Sequence, residues 1–349
     1  MSRASIRQVA ERANVSPMTV SRVLHGRKTK VNDETYARVL EAMRELDYVP
    51  VRTTVQNRHV ETKAIGLVPS HLMVSRYKLD SGTYEGICER ASDEGYDLLV
   101  MLRNESEWFA NRHEMRFLDR RSDGFIFISP CQGEWETVFP ALIKHGIPTV
   151  VCYRRDVPPE IAWVDAGNEA IVRSGVECLL RNGHERIAYV CGPDGPDQDK
   201  QLLSHVVQGR LNYDDLERRR YFERMMGSDA LILRGCLSGW NFDSGILSAL
   251  LDLNVTGVLC VNDMIASKLW QTAEAAGLNV PRDLSIIGVD YSPLAETQGL
   301  TTIEFGYDEI GRQAVAAWVK LNAGARPEEC CTVVSSRLVE RSSVGAPRD

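Results

Sequence analysis

Three polar side chains, Thr19, Ser21 and Arg22, are spaced so that the outer face of one short helix carries them. Hydroxyl and guanidinium groups are hydrogen-bonding partners for phosphate oxygens and for the edges of base pairs. The apolar residues between and after them fall on the opposite face at helical spacing. A slim helix of this kind, polar outward and close to basic residues, fits the major groove of duplex DNA.

Three predicted helices position these side chains. Ser5 begins the first with a capping box that is completed by the glutamine three residues later. Ser16 caps the second, Pro17–Leu24, whose first residue needs no N–H donor. Asn32 caps the third, Asp33–Leu46. Two short helices joined by a tight turn, with a third packed behind, are typical of a helix-turn-helix DNA reader. The alternative is a small helical bundle that does not bind DNA.

The segments VAERANVSPMTVSRVLHG and VNDETYARVLEAMRELDYVP resemble the headpiece of the LacI-type (lactose repressor family) transcription regulators. This resemblance implies that the first residues of the second helix and its later arginine read bases. Those places hold Pro17 and Met18, which offer apolar contacts, and Arg22, which can bond guanine O6 and N7. The predicted DNA contacts, which include hydroxyls for phosphates, are Ser16, Pro17, Met18, Thr19, Ser21, Arg22, His25 and Arg52.

Residues 51–63 connect the predicted headpiece, residues 1–50, to the body. The resemblance implies a hinge helix here, with an apolar side chain wedged into the minor groove. Asn57 occupies that place by direct spacing, and Val55 is the apolar candidate nearby. The many β-branched residues of the segment favour helix poorly, so a flexible linker is the alternative to a hinge helix.

Charge is distributed unevenly along the 349 residues. Residues 1–60 carry 11 Lys+Arg against 6 Asp+Glu, whereas the remainder carries 30 against 42. A basic front end on an acidic body fits a DNA-binding head on a soluble partner domain. The nine scattered cysteines show no metal-ligand spacing, and we expect reduced thiols, a cytoplasmic protein and no cofactor. No apolar run is long enough to span a membrane, and the N-terminus does not resemble a signal peptide.

Strand and helix patterns alternate from Ala64 onward, which predicts parallel sheets covered on both faces. The fold class expected is an all-α helix-turn-helix headpiece followed by an α/β, two-lobed, periplasmic-binding-protein-like domain with two doubly wound parallel sheets. This body, residues 64–344, resembles the effector and dimerisation domain of the same family. The resemblance implies an N-lobe of about 64–160 and 291–322, and a C-lobe of about 161–290 and 323–344.

Ligands of such sheets bind beyond the carboxyl ends of the strands, so a small molecule is expected between the lobes. Asp263 follows a predicted strand there, although it can alternatively cap the next helix. Arg218 and Trp240 match effector-binding places of the family, against the alternatives of a solvated arginine run and a core tryptophan. Asp290 is expected to hold the interlobe geometry. The predicted effector contacts are Asp263, Arg218, Trp240, Ser129, Arg154 and Tyr77.

These features predict a homodimeric DNA-binding regulator, a repressor, that binds double-stranded operator DNA under the control of a sugar-like effector. A purine or another metabolite is the alternative effector. A solute-binding protein shares the body, but it needs an export signal and lacks a basic head. The usual hydrolase, metalloprotease, P-loop and dinucleotide-binding motifs are missing, which argues against an enzyme.

Overall fold

The computed structural model describes residues 4–24, 31–46, 48, 61–69, 81–102, 113–130, 134–192, 213–236 and 242–348. Within these ranges the α-helices are α1 (Ile6–Arg12), α2 (Pro17–Leu24), α3 (Asp33–Glu45), α4 (Ser81–Asp93), α5 (Phe139–Lys144), α6 (Asn168–Arg181), α7 (Tyr213–Met226), α8 (Ile246–Asp252), α9 (Asp263–Ala275), α10 (Pro293–Gln298) and α11 (Tyr307–Asn322). The strands are β1 (Ala64–Val68), β2 (Asp97–Val100), β3 (Gly124–Ile128), β4 (Thr149–Cys152), β5 (Ala162–Ala166), β6 (Ile187–Cys191), β7 (Leu231–Arg234), β8 (Gly257–Cys260), β9 (Ser285–Val289), β10 (Thr301–Glu304), β11 (Thr332–Val334) and β12 (Arg337–Val339).

The first three helices form a small unit with its own core. Val9 of α1, Val20 of α2 and Val39 of α3 are fully buried against one another. The predicted capping box is confirmed, because Ser5 accepts from the backbone of Gln8 and the Gln8 side chain returns a contact to Ser5. The predicted bounds of the second helix are also confirmed. These polar caps satisfy N–H groups that a helix leaves free at its start.

The body consists of two six-stranded sheets within the described residues. The first has the strand order β11-β5-β4-β3-β1-β2, and the second has the order β12-β10-β9-β8-β6-β7. All the pairings are parallel except that of β12 with β10. Parallel strands covered on both faces must be apolar throughout, and β3, with the sequence GFIFI, is buried at every position. The predicted fold class is confirmed.

Three strands lie in other sheets than the predicted lobe ranges imply. β5 pairs with β4 and therefore belongs to the first sheet, as does β11, which pairs with β5. β10 pairs with β9 and belongs to the second sheet. The predicted lobe ranges were implied by the family resemblance, because strand and helix alternation alone gives the order of the elements but not which sheet edge accepts the next strand. The headpiece and linker boundaries stay predictions.

Two predicted helices differ in the structure. The sequence pattern predicts a helix near residues 108–120, but the described part of this segment contains a 3-10 turn at His113–Arg116. The pattern also predicts a helix near residues 136–145, and this segment begins as a π-helical turn, Glu134–Val138, and continues as α5. The rings of Trp135 and Phe139 meet edge to face at 5.2 Å where the π-helical turn joins α5.

Candidate functional site

The outward side of α2 carries the predicted DNA-reading residues. Met18 is 64% exposed, and one guanidinium nitrogen of Arg22 lies 3.5 Å from its sulfur. Ser16 Oγ accepts from the Thr19 N–H at 3.1 Å, so this hydroxyl caps the helix as predicted. The same oxygen lies 2.9 Å from Thr19 Oγ1. The structure thus brings these predicted contacts together at the first turns of an exposed helix.

Other members of the predicted DNA-contact set have different positions. Pro17 is exposed at the first position of α2, where its missing N–H has no consequence for the helix. Ser21 is half-buried on the same helix. His25 and Arg52 lie outside the described residues, as do the hinge positions Val55 and Asn57.

Asp263 is held by hydrogen bonds inside the second lobe, and its predicted role as an effector contact stays a prediction. Its side chain is buried, with 1% of the residue exposed. One carboxylate oxygen accepts from the Thr302 hydroxyl at 2.5 Å, and the other accepts from the N–H and the hydroxyl of Ser292 at 2.7 and 2.8 Å. Burial raises the pKa of this carboxyl to about 6, although the bonds from Thr302 and Ser292 oppose the rise. Asp263 therefore ties α9 to β10 and α10.

The neighbouring Asn262 performs the capping role that was the alternative for this position. Its side-chain oxygen accepts from the Ile265 N–H at 2.9 Å and closes the start of α9. The sequence could not assign the cap to one of two adjacent residues, because asparagine and aspartate are equally good caps.

Arg218 lies inside the molecule, not on the solvated face that was its alternative. It is 5% exposed and donates to the Asn168 side-chain oxygen and to the Val261 carbonyl, each at 2.9 Å. Its guanidinium group lies 5.7 Å from the centre of the Phe305 ring. Burial lowers the pKa of Arg218, but the charge of Asp214 and other acidic groups raises it above the usual value overall, so the side chain stays cationic.

Arg154 is also buried, at 4% exposure, just after β4. It pairs with Asp156 through two bonds of 3.0 and 2.8 Å. Its guanidinium group lies over the ring of Tyr213 at 4.8 Å, so it bridges the first sheet and α7. Ser129 follows β3 with a φ of 45° and is half-buried. Trp240 and Tyr77 lie outside the described residues.

Residues that were not predicted as effector contacts surround Arg218. Asp290 follows β9 with a φ of 116°, and one of its carboxylate oxygens accepts from the Tyr307 hydroxyl at 3.2 Å. Burial and the charge of Asp263 raise the pKa of Asp290 well above its usual range, against the opposing charge of Arg218. Asp290 could have been found by its place at the carboxyl end of a strand, which is the same reasoning that predicts Asp263.

Asn168 has a linking role that its sequence context did not indicate. Its amide oxygen accepts from Arg218, and its amide nitrogen donates to Asp214 at 2.9 Å. Asn168 opens α6 directly after β5, where the chain leaves the first sheet for the second. The arrangement of Arg218, Asn168, Asp214 and Asp290 joins charged and amide groups from several elements where the lobes meet. Such convergent polar groups are typical of a small-molecule site.

The described part of the chain holds neither a cluster of metal ligands nor a membrane-spanning helix. No group of three or more His, Cys, Asp or Glu side chains has the arrangement of a metal site there. No helix in the same residues is long and apolar enough to cross a membrane.

The two parts of the chain match two family models. Residues 5–51 match the bacterial regulatory proteins of the lacI family, and residues 176–344 match the periplasmic binding protein-like domain. The HTH-type transcriptional repressor PurR of Aliivibrio fischeri (strain MJ11) is 28% identical over 98% of both chains. The HTH-type transcriptional repressor CytR of Escherichia coli (strain K12) is 29% identical over 98% of this chain and 97% of its own.

Solved structures agree with this assignment. The lac repressor dimer bound to operator and the anti-inducer ONPF is 25% identical, covers 99% of this chain and 100% of its own, and has a TM-score of 0.64. The transcriptional regulator CelR in complex with cellobiose shares the fold, at 24% identity over 98% of this chain and all of its own, with a TM-score of 0.65. The relatives named are transcription regulators. In its helix-turn-helix head, its two-lobed body and these matches, the chain is similar to the LacI family of bacterial regulatory proteins.

Proposed function

We propose that this protein is a sequence-specific transcription regulator, a repressor, whose affinity for operator DNA is controlled by a small molecule bound between the two lobes. It acts as a homodimer on DNA in the cytoplasm and not as an enzyme. One observation carries the proposal: α2 presents Met18 and Arg22 on its outer side, beside a hydroxyl-capped N-terminus. Side chains at the start of such a helix reach base edges when the helix enters a major groove.

Base reading is divided between two kinds of contact on α2. Arg22 supplies a planar fork of donors that suits guanine O6 and N7, whereas Met18 supplies an exposed apolar surface that suits a thymine methyl group. The hydroxyls of Ser16 and Thr19 suit phosphates, which position the helix without specifying sequence. Arg22 and Met18 lie together on the outer side of α2. Either residue can therefore be substituted without disturbing the buried face of the helix.

Selection of bound fragments from a random DNA pool, followed by sequencing, tests this proposal. The full-length protein is expected to enrich one motif, and Arg22→Ala is expected to weaken binding to that motif by about 1–3 kcal/mol, or roughly five- to 150-fold. Arg38→Ala is the matched control, because Arg38 is an exposed arginine on α3. Circular dichroism melting shows whether each head stays folded. Failure to enrich any motif contradicts the proposed function, and unchanged binding by Arg22→Ala contradicts the base-reading assignment.

The proposed effector is a sugar or sugar derivative. Arg218, Asn168 and Asp290 offer donors and acceptors suited to hydroxyl groups, and the rings of Phe305 and Tyr307, 4.3 Å apart, offer an apolar face. CelR is named in complex with cellobiose, which supports this class. A purine or another planar metabolite is the second candidate, because the same ring pair can pack against a base.

Thermal melting of the full chain with single probes separates the two classes. Cellobiose and glucose represent sugars, and adenine and guanine represent purines. A probe at about 100 times its dissociation constant is expected to raise the melting temperature by about 5 °C. Arg218→Gln should lose this rise, whereas Arg220→Gln, an exposed neighbour on α7, should retain it. A full rise in the melting temperature of Arg218→Gln rejects the cleft assignment. If neither probe class raises the melting temperature of the wild type, both effector classes are rejected.

A further inference from the structure

The lobes meet at a cluster of polar side chains that we call the junction cluster: Arg154, Arg155, Asp165, Tyr213 and Asp214. The first three follow or lie on strands of the first sheet, whereas Tyr213 and Asp214 begin α7, which packs on the second lobe. The Arg155 backbone N–H donates to the Tyr213 hydroxyl at 3.3 Å, and Arg155 Nε donates to Asp165 Oδ2 at 2.7 Å. The junction cluster therefore links one lobe directly to the other.

Asp165 is incompletely satisfied in this arrangement. The residue is fully buried on β5, and among the described residues its second oxygen, Oδ1, has no hydrogen-bond partner. Asp214, which begins α7 on the other lobe, accepts from the Asn168 amide at 2.9 Å, and its negative charge acts on Asp165. An ionised carboxylate that is buried, short of one bond and near a second negative charge is unfavourable. A proton on Asp165 removes the repulsion and supplies a donor.

We propose that Asp165 and Asp214 form a proton-controlled contact between the lobes. When Asp165 is protonated the lobes stay together, and when Asp165 is ionised its repulsion with Asp214 favours their separation. This inference rests on the proposed function to the extent that lobe closure governs operator binding. The regulator would then respond to pH as well as to its effector.

The charges around Asp165 determine the direction of the effect. Burial and the charge of Asp214 raise the pKa of Asp165 to about 7, while Arg155 lowers it. Tyr213 stays neutral, because burial and the charges of Asp165 and further acidic groups, Glu217 and Asp156, raise its pKa above the usual value. Arg155 and the backbone of Ala166 lower the pKa of Asp165 without offsetting burial and the charge of Asp214, and Arg218 is the cation whose pKa the charge of Asp214 raises.

The sign of the pH dependence follows from proton uptake. Separated lobes expose Asp165 to water, where an aspartate has a pKa of about 3.9. The closed form thus binds more protons between about pH 4 and about pH 7, and its advantage is lost as the pH rises through the raised pKa. From about pH 6 to about pH 8 the ratio of closed to open molecules should fall about tenfold.

Hydrogen–deuterium exchange of the full chain measures this ratio. Peptides that cover residues 153–160 and 213–222 report opening of the cluster, after correction for the intrinsic effect of pH on exchange. The wild type is expected to open about tenfold more at about pH 8 than at about pH 6, whereas Asp165→Asn should show no change. Glu160→Gln, an exposed acid in the same β4–β5 connection, should behave as the wild type.

A second variant keeps the inference testable if Asp165→Asn does not fold. Asp214→Asn removes the facing charge, so the change over the same pH range should be less than about threefold. Equal pH dependence in the wild type and in the variants of Asp165 and Asp214 overturns the inference, as does a wild type that does not respond to pH. Gel shift with the selected motif on the same samples is a separate result: lost operator binding rejects the proposed function but not the contact.

Discussion

Asp263 is a stabilising residue in this structure, because its carboxylate accepts three hydrogen bonds inside the second lobe. Asp263→Ala should remove these bonds and leave the Ser292 N–H and the Thr302 O–H without an acceptor, although the Thr302 oxygen still accepts from the Tyr291 N–H. Bonds to a buried charge contribute about 1.5–3 kcal/mol each, and their effects are not additive, so a loss of about 3 kcal/mol in the free energy of unfolding is expected. Urea denaturation of the full chain measures this loss.

Asp252→Ala is the control for this change, since Asp252 is an exposed acid at the end of α8. It should alter the free energy of unfolding by less than about 0.5 kcal/mol. Normal stability of Asp263→Ala together with loss of a ligand-induced rise in melting temperature would contradict the structural role and support Asp263 as an effector contact.

Sequence alone could not separate Asp263 from Asp290. Both follow a buried strand of the second sheet at its carboxyl end, where ligands of such sheets bind. The distinction comes from tertiary contacts: Ser292 and Thr302 fold over Asp263, whereas Asp290 turns toward Tyr307 and the charge of Arg218. Residues that are 12 or more positions apart in sequence determine these contacts, and no local pattern encodes them.

At the scale of whole elements, α11 crosses α4 unusually closely. A Cβ atom added at Gly86 of α4 would lie 1.9 Å from the Asp308 carbonyl oxygen, and one at Gly311 of α11 would lie 2.2 Å from the Thr83 carbonyl oxygen. Contacts under 3 Å to backbone cannot be relieved by rotating a side chain. Glycine at these two positions therefore allows the helices to pack, and α11 in turn covers the first sheet.

Gly86→Ala should push the two helices apart. Overpacking of this kind costs about 1–3 kcal/mol, which exceeds the gain of up to about 1 kcal/mol from the better helix propensity of alanine. Thermal melting of the full chain should therefore show a lower melting temperature. Ser92→Ala, at an exposed position of the same helix, should leave the melting temperature unchanged or slightly higher. An equal or higher melting temperature for Gly86→Ala would contradict the close crossing.

Element prediction succeeded where the signals were local. Ser5, Ser16 and Asn32 identified the starts of α1, α2 and α3, because a capping side chain and its backbone partner lie within three residues. β11 and β12 were not predicted as strands. Each has three residues and alternates weakly between buried and exposed positions, so no periodic pattern marks it. These strands form only because a sheet edge is available to pair with them.

At the scale of the whole molecule, the uneven distribution of charge matches the separate roles of the DNA-binding head and the body. The basic first 60 residues suit a phosphate backbone, and the acidic remainder discourages the body from binding DNA without sequence preference. The two sheets exchange strands and helices three times along the chain, at β5–α6, at β10–α11 and at β11–β12. Because several connections cross between the lobes, a change in their closure can be transmitted without unfolding either lobe.

One head alone makes too few contacts for tight operator binding, so the homodimer proposed here should require two half-sites. A selected motif should read as a near-palindrome, and a single half-site should bind about 100-fold or more weakly, because half of the phosphate and base contacts are lost. Gel shift at about 0.1 M and about 0.2 M salt should also show a shallower salt dependence for the half-site. Separating the half-sites by a further half turn, about 5 base pairs, is the control, since it places the second site on the opposite face of the duplex. If the half-site and the complete motif bind equally, and sedimentation shows one chain per DNA, then the protein acts through a single head and the dimer proposal is wrong.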